Sequence, residues 1–369
     1  MWSYKRLLLY ILMIINLLLV SWEYCEASYQ EYGQLSLSVK ESEYLQDTIV
    51  HQFDNSALLE YNLKINEGDI IGCFKLNAYY SQNYDEIFFN LARGYVVYQN
   101  DYFSFELGKN RVMNGVGYAW NPSDIINLKK SPLYREEEKR IDEGVYYTSL
   151  SYYGFLNDLA YEVRGIILPE EDSLKSSGVF STKISWQSLE ASFLTGLKKD
   201  EPPVYAGSGR FSLNRLPLTI YGEFRNYEMK DDWKYLLGLQ YNPSSTVFGG
   251  NLQTQIEYFR NENSYRHRVA EYGEYFPGET PVLGELYKNY AYAGLTYYSL
   301  DLITSFGMIK NLDEDGSGII NYLLTYPLTN ESTISLGGYV PFGRDASEFP
   351  YLINKEYEIY ITLSVSFGD

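Results

Sequence analysis

Apolar and polar residues alternate one by one over most of this chain, the period of a β-strand, whose successive side chains point to opposite faces. The last segment shows it most clearly. Tyr357, Ile359, Ile361, Leu363, Val365 and Phe367 fall on one face, and Glu356, Glu358, Tyr360, Thr362, Ser364 and Ser366 on the other. Leu59, Tyr61, Leu63 and Ile65 alternate in the same way with Glu60, Asn62 and Lys64, and Leu218, Ile220 and Phe224 with Thr219, Glu223 and Arg225. Leu252, Ile256 and Tyr258 alternate with Gln253, Gln255 and Glu257. The pattern predicts strand cores at 32–40, 57–66, 70–80, 87–98, 102–110, 142–153, 158–168, 177–187, 189–198, 204–213, 218–228, 233–242, 250–260, 289–299, 301–310, 316–327, 331–341 and 356–367. These make 18 strands, with 16 as the alternative count.

Alternation alone does not say which face is buried: a soluble barrel turns its apolar face inward, a membrane barrel outward. Connection lengths break the tie, because transmembrane barrels have short turns at one end and longer loops at the other. Short connections fall at Glu67-Gly68-Asp69, Gln99-Asn100-Asp101, Gln187-Ser188, Asn214 to Pro217, Ser299-Leu300 and Leu328 to Asn330, with longer ones at the same end near Gly154 to Asn157 and Asn242 to Phe248. Between them lie the long loops Arg111 to Ile141, Asn261 to Lys288 and Phe342 to Lys355. Each segment is close to the roughly 9 to 11 residues that a tilted strand needs to cross hydrocarbon. The predicted architecture is therefore an all-β, transmembrane, antiparallel up-and-down barrel, with short periplasmic turns, long external loops and both termini in the periplasm.

The N-terminus adds a compartment. Lys5 and Arg6 precede an apolar run from Leu7 to Val20, and Cys25-Glu26-Ala27 ends in a small residue, so residues 1–27 read as a cleaved export signal and the mature chain starts near Ser28 as a single domain, 28–369. The apolar run falls short of the roughly 18 to 20 residues of a spanning helix. Cys73 is then the only mature cysteine, which excludes an internal disulfide and a cysteine-based zinc cluster.

Composition narrows the partners. The formal charge of −18 argues against nucleic acid, and 40 tyrosines suit a membrane interface, where the ring is apolar and the hydroxyl wet. Outer-membrane lipid and lipopolysaccharide are the expected surroundings. A barrel of 16 to 18 strands is too wide to be filled by its own wall, so a loop must narrow its water-filled lumen. The candidate is Arg111 to Ile141, where Asn121-Pro122-Ser123-Asp124 has the form of a helix start, with Asn121 as cap and a short helix running through Ile125 and Ile126. The expected constriction comprises Arg111, Trp120, Asn121, Asp124, Lys129, Lys130, Arg135, Glu136, Glu137 and Arg140, opposed charges that would set a transverse field, with an exposed, salt-bridged outer loop as the alternative for this cluster. The expected lumen wall includes Glu106, Arg164, Arg210, Glu223, Arg225, Glu257, Glu356 and Glu358.

Residues 108–124, GKNRVMNGVGYAWNPSD, resemble a segment of Gram-negative porin-like outer-membrane barrels, including relatives of the alginate-export type. Gly108, Gly115, Gly117, Asn121, Pro122 and Asp124 follow the order of that pattern, and Arg135-Glu136-Glu137 resembles its charged continuation. Lys109-Asn110 stands in place of Arg-Gln, and Asn114 in place of tryptophan. The resemblance implies an outer-membrane pore with an inward loop after an early strand. A closing aromatic, here Phe367, is the feature that the barrel-assembly machinery recognises in such proteins, although Gly368-Asp369 follow it.

Catalysis finds little support, since the two histidines, His51 and His267, fall in predicted external loops and no Gly-x-Ser-x-Gly motif accompanies them. Asp313-Glu314-Asp315-Gly316-Ser317 begins like a calcium loop, but Leu324 occupies the position of the closing glutamate, so a charged hairpin loop is expected, with no metal site and no cofactor. The leading expectation is passive diffusion of small hydrophilic solutes. A structural or adhesive barrel, whose acidic external loops bind a surface layer or divalent cations, is the alternative. No residue marks a subunit interface, so homo-oligomerisation stays open.

Overall fold

A computed structural model describes residues 28–44, 50–82, 86–112, 114–127, 144–169, 177–199, 201–213, 216–227, 232–243, 246, 249–262, 264, 284, 286–299, 301–344, 347–353 and 355–368. The presumed signal, 1–27, lies outside them. The strands are β1 (Ser28–Tyr44), β2 (Val50–Glu67), β3 (Ile70–Ser81), β4 (Glu86–Gln99), β5 (Phe103–Asn110), β6 (Val145–Leu156), β7 (Leu159–Leu168), β8 (Ser177–Trp186), β9 (Leu189–Leu197), β10 (Val204–Leu213), β11 (Leu218–Tyr227), β12 (Asp232–Tyr241), β13 (Asn251–Asn261), β14 (Asn289–Tyr298), β15 (Ile303–Asn311), β16 (Gly318–Pro327), β17 (Ser332–Phe342) and β18 (Lys355–Gly368). Among the described residues one short helix, α1 (Glu348–Ile353), lies in the segment expected to be loop, where Phe349 and Ile353, four apart, bury one face. Among the described residues no helix is long and apolar enough to cross a membrane.

Consecutive strands pair antiparallel, and β1 pairs with both β2 and β18, so the 18-stranded sheet closes on itself. Closure leaves no sheet edge with unpaired amides, the condition for a β-structure to stand in lipid. The tight turns need left-handed backbone, which Gly68 (φ 57°), Asn157 (φ 54°) and Gln187 (φ 51°) supply. The connection expected near Gly154 to Asn157 is thus only Asn157-Asp158, because strand pairing continues to Leu156, opposite Leu159. The β1–β2 hairpin also runs further than its alternation suggested. His51, expected in a loop, is within β2 and pairs with Glu43.

The direction of the side chains agrees with the outward apolar face expected from the connection lengths. Ile359, Ile361, Leu363, Val365 and Phe367 are exposed on the outside, while Glu358, Thr362 and Ser364 are buried on the inside. Ile167, Leu237 and Ile256 are 60%, 62% and 61% exposed on the same outer surface. At roughly 25 cal/mol per Å² such a continuous apolar belt is strongly unfavourable in water and is satisfied by acyl chains. Inside, the closing seam is hydroxylated: Ser36 meets Ser364 at 2.9 Å and Ser38 meets Thr362 at 2.6 Å. Ion pairs line the inner wall as well, Lys75–Glu60 at 2.8 Å, Arg164–Glu106 at 3.1 Å and Arg210–Glu190 at 2.7 Å.

Candidate functional site: the lumen and its inward segment

After β5 the chain enters the barrel. Val112 and Ile126 are buried against inner-face residues of β6 to β10, namely Tyr147, Ile166, Val179, Leu194 and Ala206. Between them, Ala119 and Trp120 are buried against Tyr221, Leu236, Phe259 and Tyr290 of β11 to β14, in a cluster that continues to Ile309, Ile319, Tyr339 and α1. The segment from 111 to 127 therefore fastens to two adjoining sectors of the wall. Neither cluster contains a residue of β18 or β1 to β5, whose buried inner-face residues are mixed, polar Ser36, Ser38, Asp54, Asn77 and Thr362 beside Leu58, Tyr79 and Ala92.

Two carboxylates hold the segment by its backbone. Glu223 on β11 accepts the amides of Val116, of Gly117 at 2.6 Å and of Ser123 at 3.0 Å, together with the Ser123 hydroxyl at 2.9 Å. Glu257 on β13 accepts the Tyr118 and Ala119 amides at 2.6 and 2.9 Å and the Tyr221 hydroxyl at 2.9 Å. Charged acceptors make the stronger class of hydrogen bond, and here they replace the partners that a non-helical, non-sheet backbone lacks. The approach needs glycine: Gly115 has φ 90°, and a Cβ there would lie 2.0 Å from Asn121 Oδ1 and 2.7 Å from Glu223 Oε1.

The expected helix over 121–126 does not form. Asn121 to Asp124 is a turn closed by the Asp124 amide on the Asn121 carbonyl at 3.2 Å. The cap has other employment, since the Asn121 side-chain amide donates to the Asn114 carbonyl and its oxygen accepts from the Ser123 hydroxyl. The Ser123 amide, which a helix cap would have taken, goes instead to Glu223. Asp124 accepts the Ile126 and Asn127 amides at 3.3 and 3.1 Å, and burial pushes its carboxyl up from the ordinary value against those bonds and nearby Arg111.

Trp120, expected to narrow the bore, is an anchor. It is 6% exposed, stacks on Phe259 at 5.0 Å and 9°, and donates its indole N–H to the Gly284 carbonyl at 3.1 Å. Gly284 belongs to the β13–β14 connection and is held in turn by Glu348 of α1, which accepts the Gly284 and Leu286 amides, the Tyr290 hydroxyl and the Asn311 amide. Burial pushes the Glu348 carboxyl up to about 7. Asp313, at the hairpin that begins like a calcium loop, spends its carboxylate on the Lys288 and Asn289 amides at 2.8 and 3.0 Å.

Of the expected constriction residues, Arg111, Trp120, Asn121 and Asp124 are placed within the inward segment, while Lys129, Lys130, Arg135, Glu136, Glu137 and Arg140 lie outside the described residues, as does His267. The expected wall residues share the inner face. Glu106 pairs with Arg164, Arg210 with Glu190, and Glu358 with Lys355 at 2.5 Å, while Arg225 lies over the Tyr227 ring at 5.0 Å. Glu356 is the exception: it is exposed and falls at the register shift where Glu43 pairs with Tyr357 and Tyr44 with Lys355. Glu223 and Glu257 sit on that wall too, but their carboxylates are committed to the inward backbone.

Toward the short-turn end, beneath Val112 and Asn114 to Val116, a cavity of about 310 Å³ opens against β7 to β10. Its walls carry Glu162, Arg164, Lys183, Glu190 and Arg210.

The docking platform of Phe259, Tyr290, Leu194 and Ile309 was not anticipated from alternation. Its signal is present as adjacent apolar pairs that break the period: Ile166-Ile167, Phe193-Leu194, Leu236-Leu237, Tyr258-Phe259 and Met308-Ile309. In each pair one residue faces outward and the other is buried in one of the two clusters that include the inward segment.

Several solved structures share this architecture. Pseudomonas aeruginosa OccK5 (OpdH) aligns over 93% of this chain and 98% of its own with a TM-score of 0.55 at 10% identity. Acinetobacter baumannii OccAB4 aligns over 93% and 99% with a TM-score of 0.54 at 10% identity. Wzi of Escherichia coli, an outer-membrane protein involved in group 1 capsule assembly and a carbohydrate-binding β-barrel, aligns over 91% and 84% with a TM-score of 0.58 at 11% identity. Neither a family model nor a curated protein sequence matches the chain. What is common at these identities is the fold, that of the porin-like outer-membrane β-barrel.

Proposed function

We propose that this protein is an outer-membrane channel for passive diffusion of small hydrophilic solutes, with the segment 111–141 as its constriction. The observation that carries this reading is a closed sheet, apolar outside and lined inside by paired charges and hydroxyls, into which residues 111–127 fold. Opposed charges on such a wall leave little net field along the axis and a strong transverse one, which orders water and polar solutes without rejecting either sign. Lys129, Lys130, Arg135, Glu136, Glu137 and Arg140 would complete the narrowing, and cleavage near Ser28 would precede insertion. Planar-bilayer recording of the purified protein tests the reading: discrete conductance steps are expected, and a barrel folded by heat-dependent gel mobility that passes no current refutes it.

A second reading is a structural or adhesive barrel, and the anchoring of the inward segment together with the fold likeness to Wzi favours it. In that case the loops at 261–288 and 342–355 bind a surface layer or divalent ions. Their deletion would abolish surface binding and spare solute uptake, whereas the channel reading expects permeability to change when the inward segment is deleted.

A further inference from the structure

On the short-turn side of the inward segment the lumen has two unlike walls. Along β7 to β10 the wall is charged, and its cations and carboxylates are paired with one another, Glu190 with Arg210 at 2.7 Å and Lys183 at 3.8 Å, and Arg164 with Glu106 at 3.1 Å. Along β12 to β16 it is neutral. Two adjoining cross-strand rows line it there, Gln240, Gln255 and Asn321 in one, with Gly294 and Gly307 between, and Gln253, Thr296 and Ser305 in the next. Neither row holds a carboxylate, a lysine or an arginine. Gln240, Thr296, Ser305 and Asn321 make no side-chain hydrogen bond among the described residues, and none of the four is buried.

An aromatic ring stands over these rows. Tyr118 has its amide on Glu257 and its hydroxyl on the Gln253 side-chain nitrogen at 3.0 Å, four residues nearer the short-turn end of β13, so the side chain runs down the lumen. It is 47% exposed and crosses the Tyr221 ring at 6.1 Å and 59°. Tyr221 and Tyr292 take the room that glycine leaves on the wall behind it, since a Cβ at Gly238 or at Gly294 would lie 2.2 Å from the respective tyrosine. Tyr118 is therefore the ring of this group that projects into the water-filled space.

An open aromatic face beside neutral amides and hydroxyls suits a solute that is dense in hydroxyls and carries an apolar C–H face. Side-chain amides and hydroxyls both donate and accept, so they meet vicinal hydroxyls in either sense. The negative face of the tyrosine ring meets the weakly positive C–H bonds of a pyranose. An ion on this wall would give up hydration without a counter-charge beside it. Building on the channel reading, we propose that this wall is a subsite for neutral sugars, a pyranose ring stacking on Tyr118 with its hydroxyls on Gln253 and Thr296. The rows cross five strands, roughly 19 Å around the wall, so a second sugar ring extends toward Ser305 and Asn321.

Saturation-transfer NMR on the full-length folded barrel in lauryldimethylamine oxide, a detergent without a sugar headgroup, tests it with methyl β-D-glucoside, glucuronate and glucosamine as probes. The glucoside should bind several-fold tighter than either charged sugar. Tyr118→Ala should weaken it about tenfold, and Tyr118→Phe should stay within about threefold, because the ring face carries the contact. Thr296→Val keeps the shape of a strand residue, breaks no side-chain bond and should weaken the glucoside about threefold. The subsite is overturned if the wild-type barrel transfers no saturation to the glucoside, or if a charged sugar binds tighter. It is equally overturned if Tyr118→Ala and Thr296→Val both leave the affinity unchanged with the barrel intact by gel mobility. Because this readout needs no current, a barrel that conducts without binding the glucoside sinks the subsite alone, whereas one that binds it without conducting sinks the channel reading.

Discussion

Replacing Glu223 with alanine should release the inward segment while leaving the barrel standing. The substitution removes the acceptor for three backbone amides, those of Val116, Gly117 and Ser123, and for the Ser123 hydroxyl. A buried amide left without a partner costs about 1–3 kcal/mol, so the three together amount to roughly 3–9 kcal/mol. Water entering the vacated space re-solvates some of them, which puts the docking loss near the lower bound, about 3 kcal/mol. At 1.4 kcal/mol per factor of ten this is a rise of about a hundredfold in the undocked population. Amide hydrogen exchange measures that population directly, since a docked loop exchanges only through its opening. Val116, Gly117 and Ser123 should exchange about a hundredfold faster in Glu223→Ala, with Tyr118 and Ala119 following because Glu257 holds the adjoining residues of the same segment. Strand amides should not change. Glu223→Gln, which keeps a neutral acceptor, should lose less. If the three amides exchange within about threefold of wild type while the barrel is intact, the carboxylate does not fasten the segment and the account of the lumen is wrong.

Other consequences follow from the same contacts. Trp120→Ala should cost about 3–5 kcal/mol of docking, read as protease cleavage within 111–127, and Trp120→Phe should recover part of it through the stack on Phe259. Glu348 is protonated in the folded clasp up to about pH 7, whereas its ordinary carboxyl value is 4.5. The folded state then binds more protons between those values, so the clasp is most stable below about pH 4.5 and loses roughly 3 kcal/mol as pH rises through 7. Exchange of the Gly284 and Leu286 amides against pH should show that loss, and Glu348→Gln should flatten the profile. On the outer wall, Leu237→Arg should destabilise by about 2–4 kcal/mol in urea unfolding from lipid, while Ser208→Arg, facing the aqueous cavity at similar height, should stay within about 1 kcal/mol.

Strand positions were legible because alternation is a local property: β10 (Val204–Leu213) spans the very residues that the pattern marks. The helix at 121–126 was misjudged for the opposite reason. Asn121-Pro122 carries the local preference for a helix start, but the Ser123 amide is claimed by Glu223, 100 residues away in sequence, and a bond to a buried carboxylate outweighs a cap worth about 1 kcal/mol. Trp120 was similarly legible as important yet not as an anchor, since its partner Phe259 stands at a position that alternation assigns to the lumen. Adjacent apolar pairs such as Tyr258-Phe259 mark such sites only once something is known to fill the interior.

By itself, the sequence determined that this chain makes strands and where most of them turn, and favoured 18 over 16, because the two-residue period and the turn chemistry act between neighbours. Only the tertiary structure decided which sectors of the wall receive the segment after β5 and which carboxylates hold it. Those outcomes depend on partners brought together by closure of the ring: Glu223 and Glu257 are ordinary alternating carboxylates until the barrel places the amides of residues 116–119 against them.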